Sequence, residues 1–154
     1  SAFADEAGRS TDEQIEALKR GQVTYIDPRG VDGHNISALP LDLAAAVAKK
    51  YEAAGVRVAM FGSPIGKIDL ADDLKIDLDK LSHLGRLRDV FGCDKVRIFS
   101  FFNKKACYDR KRWQAEALDR LARLRDLAGS LGLVLYHENE SEIFGDRAED
   151  CMMI

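Results

Sequence analysis

Four times along this chain a helix-forming stretch, a glycine and a short apolar run follow in that order, as KRGQVTYI, AAGVRVAMF, VFGCDKVRIFSF and GSLGLVLYH. No other feature restricts the fold as much. Each apolar run is partly β-branched or aromatic and nearly free of alternating polar residues. Such a run reads as a strand covered on both faces, the mark of a parallel sheet. With one more at the start, the runs occupy residues 2–4, 23–26, 56–61, 96–102 and 133–136. Their starts lie about 20 to 40 residues apart, which suits βα units.

The intervening segments read as helices over 12–20, 41–54, 74–91 and 113–131. In the fourth, Leu118, Leu121, Leu124 and Leu127 form one apolar stripe, and charged residues fill the rest. A helix packed on a sheet with a solvated outer face has this pattern. Ser10 with Glu13, or Thr11 with Gln14, makes a capping box at the first helix. Gly21, Gly55, Gly92 and Gly129 or Gly132 stand where a left-handed C-cap takes glycine. Asp146 is a candidate N-cap for a fifth helix over 147–154. A chain of 154 residues with this pattern reads as one α/β domain.

Composition removes several classes of function. A net charge of −3 gives no large electropositive face, so nucleic acid is not an expected partner. No apolar run approaches the ~20 residues needed to span a bilayer, and the first ten residues hold no signal-peptide core. The three cysteines, Cys93, Cys107 and Cys151, match no zinc spacing and no secreted framework. A reducing, cytoplasmic compartment is therefore expected.

In parallel α/β folds the chemistry lies beyond the C-terminal ends of the strands. The fifth run ends in His137-Glu138-Asn139-Glu140. Period two puts Glu138 with Tyr136 on one face and His137 with Asn139 on the other. Carboxylate and imidazole are good ligands for Mn²⁺, Mg²⁺, Co²⁺ or Zn²⁺, and a carboxylate can also move a proton. The third run leads into Gly62-Ser63-Pro64-Ile65-Gly66-Lys67. Its spacing is not that of a phosphate-binding P-loop. Two glycines, a hydroxyl and a lysine suit an anion; a tight βα turn with Lys67 in solvent fits equally. The basic residues of 104–112 read as a solvated loop, because Asp109 interrupts them. His83 reads as structural, inside the third helix, and His34 lies in a Gly/Asp loop.

GSPIGK, VRIFSFF and LYHENE…IFGD in this order, with ADEAG and YIDPRGVDGHNIS ahead of them, resemble the sugar phosphate isomerase/epimerase family. These are the xylose isomerase-like barrels, among them tagatose epimerases, inosose dehydratases and, more distantly, endonuclease IV enzymes. The resemblance runs through essentially the whole chain. It implies a (βα)8 barrel with a divalent metal at its C-terminal mouth. Four side chains, from strands five to eight, typically hold the metal. The glutamates after strands five and eight typically move the proton between adjacent sugar carbons. Only the first of these maps here, onto Glu138.

Such a barrel needs roughly 250 residues. The resemblance therefore implies one partial (βα)8-barrel domain over 1–154, with strand order 1-2-3-4-5 and four to five helices. It would end after the fifth strand and the start of the fifth helix, and it would be inactive alone. Glu138 is expected as metal ligand and catalytic carboxylate, and His137, Asn139, Lys67, Ser63 and Arg29 as contacts to a sugar or sugar phosphate. Open sheet edges would lead it to self-associate or to pair with the missing half-barrel. The competing reading is a non-catalytic binding module, flavodoxin-like or a half-barrel; a doubly wound sheet would reverse its strand order at a switch point. Endonuclease IV chemistry needs several His ligands and a basic groove, and three histidines with a net charge of −3 argue against it.

Overall fold

The computed structural model describes residues 1–154. Its first helix, α1 (Thr11–Arg20), begins at the Ser10–Glu13 capping box. Ser10 Oγ accepts from the Glu13 N–H, and Glu13 accepts from the Ser10 N–H. Thr11 and Gln14, the other candidate pair, are buried and used elsewhere. Thr11 donates to Asp32 through its backbone N–H and its hydroxyl, and Gln14 donates to the Gly8 and Gly30 carbonyls. At the far end the left-handed turn falls on Gln22 (φ 54), not on Gly21 as expected.

The remaining helices are α2 (Leu41–Ala53), α3 (Lys75–Phe91), α4 (Arg110–Ser130) and the single turn α5 (Ala148–Cys151). Helix α4 starts three residues before the apolar stripe suggests, because the Asp109 side chain caps the Arg112 N–H. The end of the expected basic loop is thus the first turn of a helix. Three of its five cations are paired: Lys104 with Glu142, Lys105 with Asp72 and Arg110 with Asp150. Helix α5 is shorter than expected and begins after Arg147. Asp146 closes a 3-10 turn, Phe144–Asp146, and caps nothing.

The strands are β1 (Tyr25–Ile26), β2 (Gly30–Val31), β3 (His34–Asn35), β4 (Arg57–Val58), β5 (Lys95–Ile98) and β6 (Val134–His137). Ala2 bridges to Ile26, β1 pairs with β4, Phe61 bridges to Val96, and β5 pairs with β6, all in parallel. The five apolar runs therefore lie side by side in chain order with no reversal, which removes the doubly wound alternative. Helix α1 packs on α2, α2 on α3 and α3 on α4, so the helices form one layer. Core residues such as Ile26, Phe61, Val96, Leu84 and Leu124 are buried between helices and strands. No helix is long and apolar enough to cross a membrane.

Strands β2 and β3 form an antiparallel hairpin that the pattern of apolar runs does not reveal. Asp32 (φ 47) and Gly33 (φ 82) make its two-residue turn, and both positive angles are what a type I′ turn requires. The hairpin holds Asp32 against Thr11.

The fourth run is a regular strand only to Ile98. Beyond it the chain pairs with the loop that follows Phe61. Phe99, Phe101 and Phe102 donate through their backbone N–H groups to the carbonyls of Ile65, Gly66 and Ile68. Phe101 takes φ 71, which turns the chain out of the sheet. The buried carboxylate of Asp69 then gathers the loop beyond. It accepts backbone N–H bonds from Lys104 at 2.7 Å, Lys105 at 2.9 Å, Ala106 at 3.1 Å and Ala71 at 2.9 Å. Burial pushes this carboxyl's pKa up, the four N–H groups pull it down, and the net shift is downward.

A carboxylate with a lowered folded pKa stabilises the protein above its unfolded pKa of about 3.9. That contribution is lost as pH falls through the folded value. Urea unfolding between pH 2 and 6 should show stability dropping below about pH 4. Asp69→Asn should flatten this slope and, near neutral pH, cost about 2–4 kcal/mol.

Candidate functional site at the open face

The register of β6 divides the HENE segment between two surfaces. His137 stands opposite Ile98, and Tyr136 opposite Arg97. Leu135, His137 and Asn139 line a groove with Leu118, Leu121 and Met153, on the side of α4. Val134 and Tyr136 are about half exposed on the opposite, helix-free face, where Glu138 meets Arg97. Carboxylate and imidazole therefore lie on opposite faces, as period two along the strand requires. His137 faces the Ser100 hydroxyl at 3.0 Å, and that hydroxyl accepts from the Gly145 N–H. The hydroxyl proton is thus available to a lone pair on His137 Nε2. Burial lowers the imidazole's pKa, only partly opposed by the charge of Glu138, so the ring favours its neutral form.

Of the two readings of Gly62–Lys67, the tight turn is what forms. Gly66 has φ 85, and a Cβ there would lie 2.1 Å from the Phe99 carbonyl oxygen. Its N–H donates to the buried carboxylate of Asp77. The Ile65 N–H is taken by Ser63 Oγ, the Lys67 N–H by the Pro64 carbonyl, and the Ser63 hydroxyl donates to the Arg97 carbonyl. These donors are turned inward, and the fully buried Ser63 does not reach the open face. Lys67 is not free in solvent. Its Nζ sits 4.3 Å from the Phe99 ring centroid and 2.6 Å from Glu140.

On the open face three cations alternate with two rings. Arg29 lies 5.0 Å from the Phe3 centroid. Arg97 lies 4.9 Å from Phe3 and 5.0 Å from Phe99, with Lys67 against Phe99 in turn. Each cation also meets carboxylate. Arg29 has Asp5 at 2.8 Å and Glu6 at 3.1 Å, and Arg97 has Glu138 at 3.3 Å. The hydrogen bond to Asp5 is the main cause of the raised pKa of Arg29. Residues from all five strand positions thus converge on one surface. Arg97, Phe3 and Phe99 were not among the residues expected from sequence. The available signal was a charge at the centre of VRIF, an otherwise apolar strand, since buried charges are rare and seldom idle.

A divalent metal does not fit the donors of this chain by themselves. No three residues among His, Cys, Asp and Glu converge on one point. Glu138 is engaged by a guanidinium, and His137 faces the other way.

No family model and no curated protein matches the chain. Solved structures do. A xylose isomerase-like TIM barrel protein from Mycobacterium smegmatis, in complex with magnesium, superposes with a TM-score of 0.70 at 15% identity, over 92% of this chain and 50% of that one. The probable 3-DHS dehydratase AsbF of petrobactin synthesis from Bacillus anthracis gives a TM-score of 0.70 at 15% identity, over 99% and 52%. A D-psicose 3-epimerase, in the presence of D-fructose, gives 0.64 at 15% identity, over 91% and 52%. The chain spans about half the length of each. With its strands in chain order and its helices in one layer, it has the fold of about half of a xylose isomerase-like TIM barrel, consistent with the N-terminal portion.

Proposed function

We propose that this chain is the N-terminal portion of a divalent-metal-dependent sugar or sugar-phosphate isomerase or epimerase, and that it is inactive alone. The position of Glu138 carries this reading. Its N–H is bonded to the Ile98 carbonyl at 2.9 Å, so it sits directly at the end of the last strand. Its side chain is 44% exposed and looks onto the helix-free face. A water-accessible carboxylate at the C-terminal end of a barrel strand is placed for proton transfer next to a sugar carbonyl. The epimerase among the structural neighbours supports this chemistry, and the magnesium in another supports a divalent ion. Because one carboxylate holds no such ion, the other ligands would come from βα units beyond this half. The proposed substrate contacts narrow to Lys67 and Arg29, since His137, Asn139 and Ser63 do not look onto that face. A cytoplasmic location is part of this proposal, and three free cysteines support it.

The reading is tested by incubating a ketose or ketose phosphate in D2O with Mn²⁺ and following loss of the proton next to the carbonyl by NMR. The chain alone should show no exchange above the blank. A polypeptide carrying this chain and three further βα units should exchange, and Glu138→Gln within it should slow exchange roughly 10²- to 10⁴-fold. Exchange in proportion to the concentration of the chain alone would overturn the half-enzyme reading. An unchanged rate in Glu138→Gln would remove the role of that residue.

The complementary half is also the proposed partner of the open edge. Strand β6 has no neighbour on its outer side, and Val134 and Tyr136 are exposed on its open face. Without that half, the same edge pairs with a second copy. Light scattering should show a mass rising above that of the monomer as concentration increases; a monomer mass independent of concentration would contradict this.

A further inference from the structure

Arg97 is the charged group on the open face that the proton-transfer chemistry leaves unused. Its side chain is only 7% exposed, so its charge sits in surroundings of low polarity, where it must be matched. The match is thin. Nη1 lies 3.3 Å from Glu138, Nη2 lies 3.3 Å from the Gly62 carbonyl and 3.5 Å from that of Ser63, and the buried Nε has no partner. Charge-assisted bonds ordinarily close to about 2.7–2.9 Å. The rings of Phe3 and Phe99 lie 4.9 Å and 5.0 Å from its Cζ. The guanidinium is therefore held in place, whereas Glu138 is 44% exposed and already borders water. Arg29 differs, because two carboxylates already hold it.

We propose that Arg97, with Lys67 beside it on Phe99, is the seat of an anionic group of the ligand, a phosphate or a carboxylate, which displaces Glu138 from the guanidinium. The planar fork of an arginine takes two oxygens of such a group in parallel. Glu138 reaches it with one oxygen, at the long end of bonding range. An incoming anion thus gains a contact that Glu138 leaves unmade, and it releases the Glu138 carboxylate to the mouth of the half-barrel. Lys67 can likewise exchange Glu140, which is 35% exposed, for the same anion. The seat deepens the isomerase reading by giving the substrate a charged end, and it rests on that reading only for what the rest of the ligand is.

The test is calorimetric titration of the purified chain, at low chloride, with inorganic phosphate and in parallel with acetate. Phosphate should saturate a single site. Glu138→Gln, which weakens the internal competitor, should bind about tenfold tighter. Arg97→Lys, which keeps the charge without the fork, should bind about tenfold weaker. Lys67→Met should bind several-fold weaker; its side chain is partly exposed, so its fold is secure even if Arg97→Lys unfolds. Tighter phosphate than acetate makes the ligand's charged end a phosphate, and the reverse makes it a carboxylate; both support the seat. No saturation by either anion in the wild type and Glu138→Gln overturns it. Affinity unchanged by both Arg97→Lys and Lys67→Met overturns it too. Anion binding without proton exchange in the longer polypeptide would sink the isomerase reading and leave the seat standing. Exchange without anion binding would do the opposite.

Discussion

The close approach of Gly66 to the backbone of Phe99 sets the rest of the open face. A Cβ at residue 66 would lie within 2.1 Å of the Phe99 oxygen, so only glycine lets the two chains meet. Once they meet, residues 65–68 receive the N–H groups of Phe99, Phe101 and Phe102, and the fourth strand ends where that pairing begins. The same contact carries Lys67 over the Phe99 ring and points the Gly66 N–H at Asp77 in α3. Asp69, three residues on, then collects the backbone of residues 104–106. A single steric allowance thus joins the ends of the third and fourth strand positions and the loop that leads to α4.

The face built this way is charged where a barrel interior would otherwise be filled by apolar layers. Three cations alternate with two aromatic rings, and carboxylates close each cation to a different degree. Arg29 is doubly paired and Lys67 is closely paired, while Arg97 is buried and loosely paired. Burial without close pairing makes a cation receptive to an outside anion, because the desolvation has already been incurred in folding. The same geometry keeps Glu138 away from His137, which lies against α4 and hydrogen-bonds into the fold.

Much of the fold was legible from the run of helix, glycine and apolar strand. Four helices fall close to their expected places, and all five apolar runs take part in parallel pairing. The α/β class follows from strands covered on both faces, a local property that every run displays. The misplaced details have local causes. The Asp109 cap moved the start of α4, Gln22 took the left-handed angle beside Gly21, and the Asp32-Gly33 hairpin was hidden because its strands are only two residues each. The site was less legible. Period two correctly separates Glu138 from His137 on the strand, but it does not say which face is open.

By itself the sequence determined the α/β class, the βα repeat and the carboxylate at the end of the last strand. These depend on short-range periodicity, on caps and on the alternation of side chains along a strand. Only the tertiary structure decided which polar groups share a surface. The pairing of Arg97 with Glu138, the insertion of Arg97 between Phe3 and Phe99, and the inward turn of Ser63 join residues far apart along the chain. Such contacts exist only after parallel strands have been brought into register, and no local pattern encodes that register.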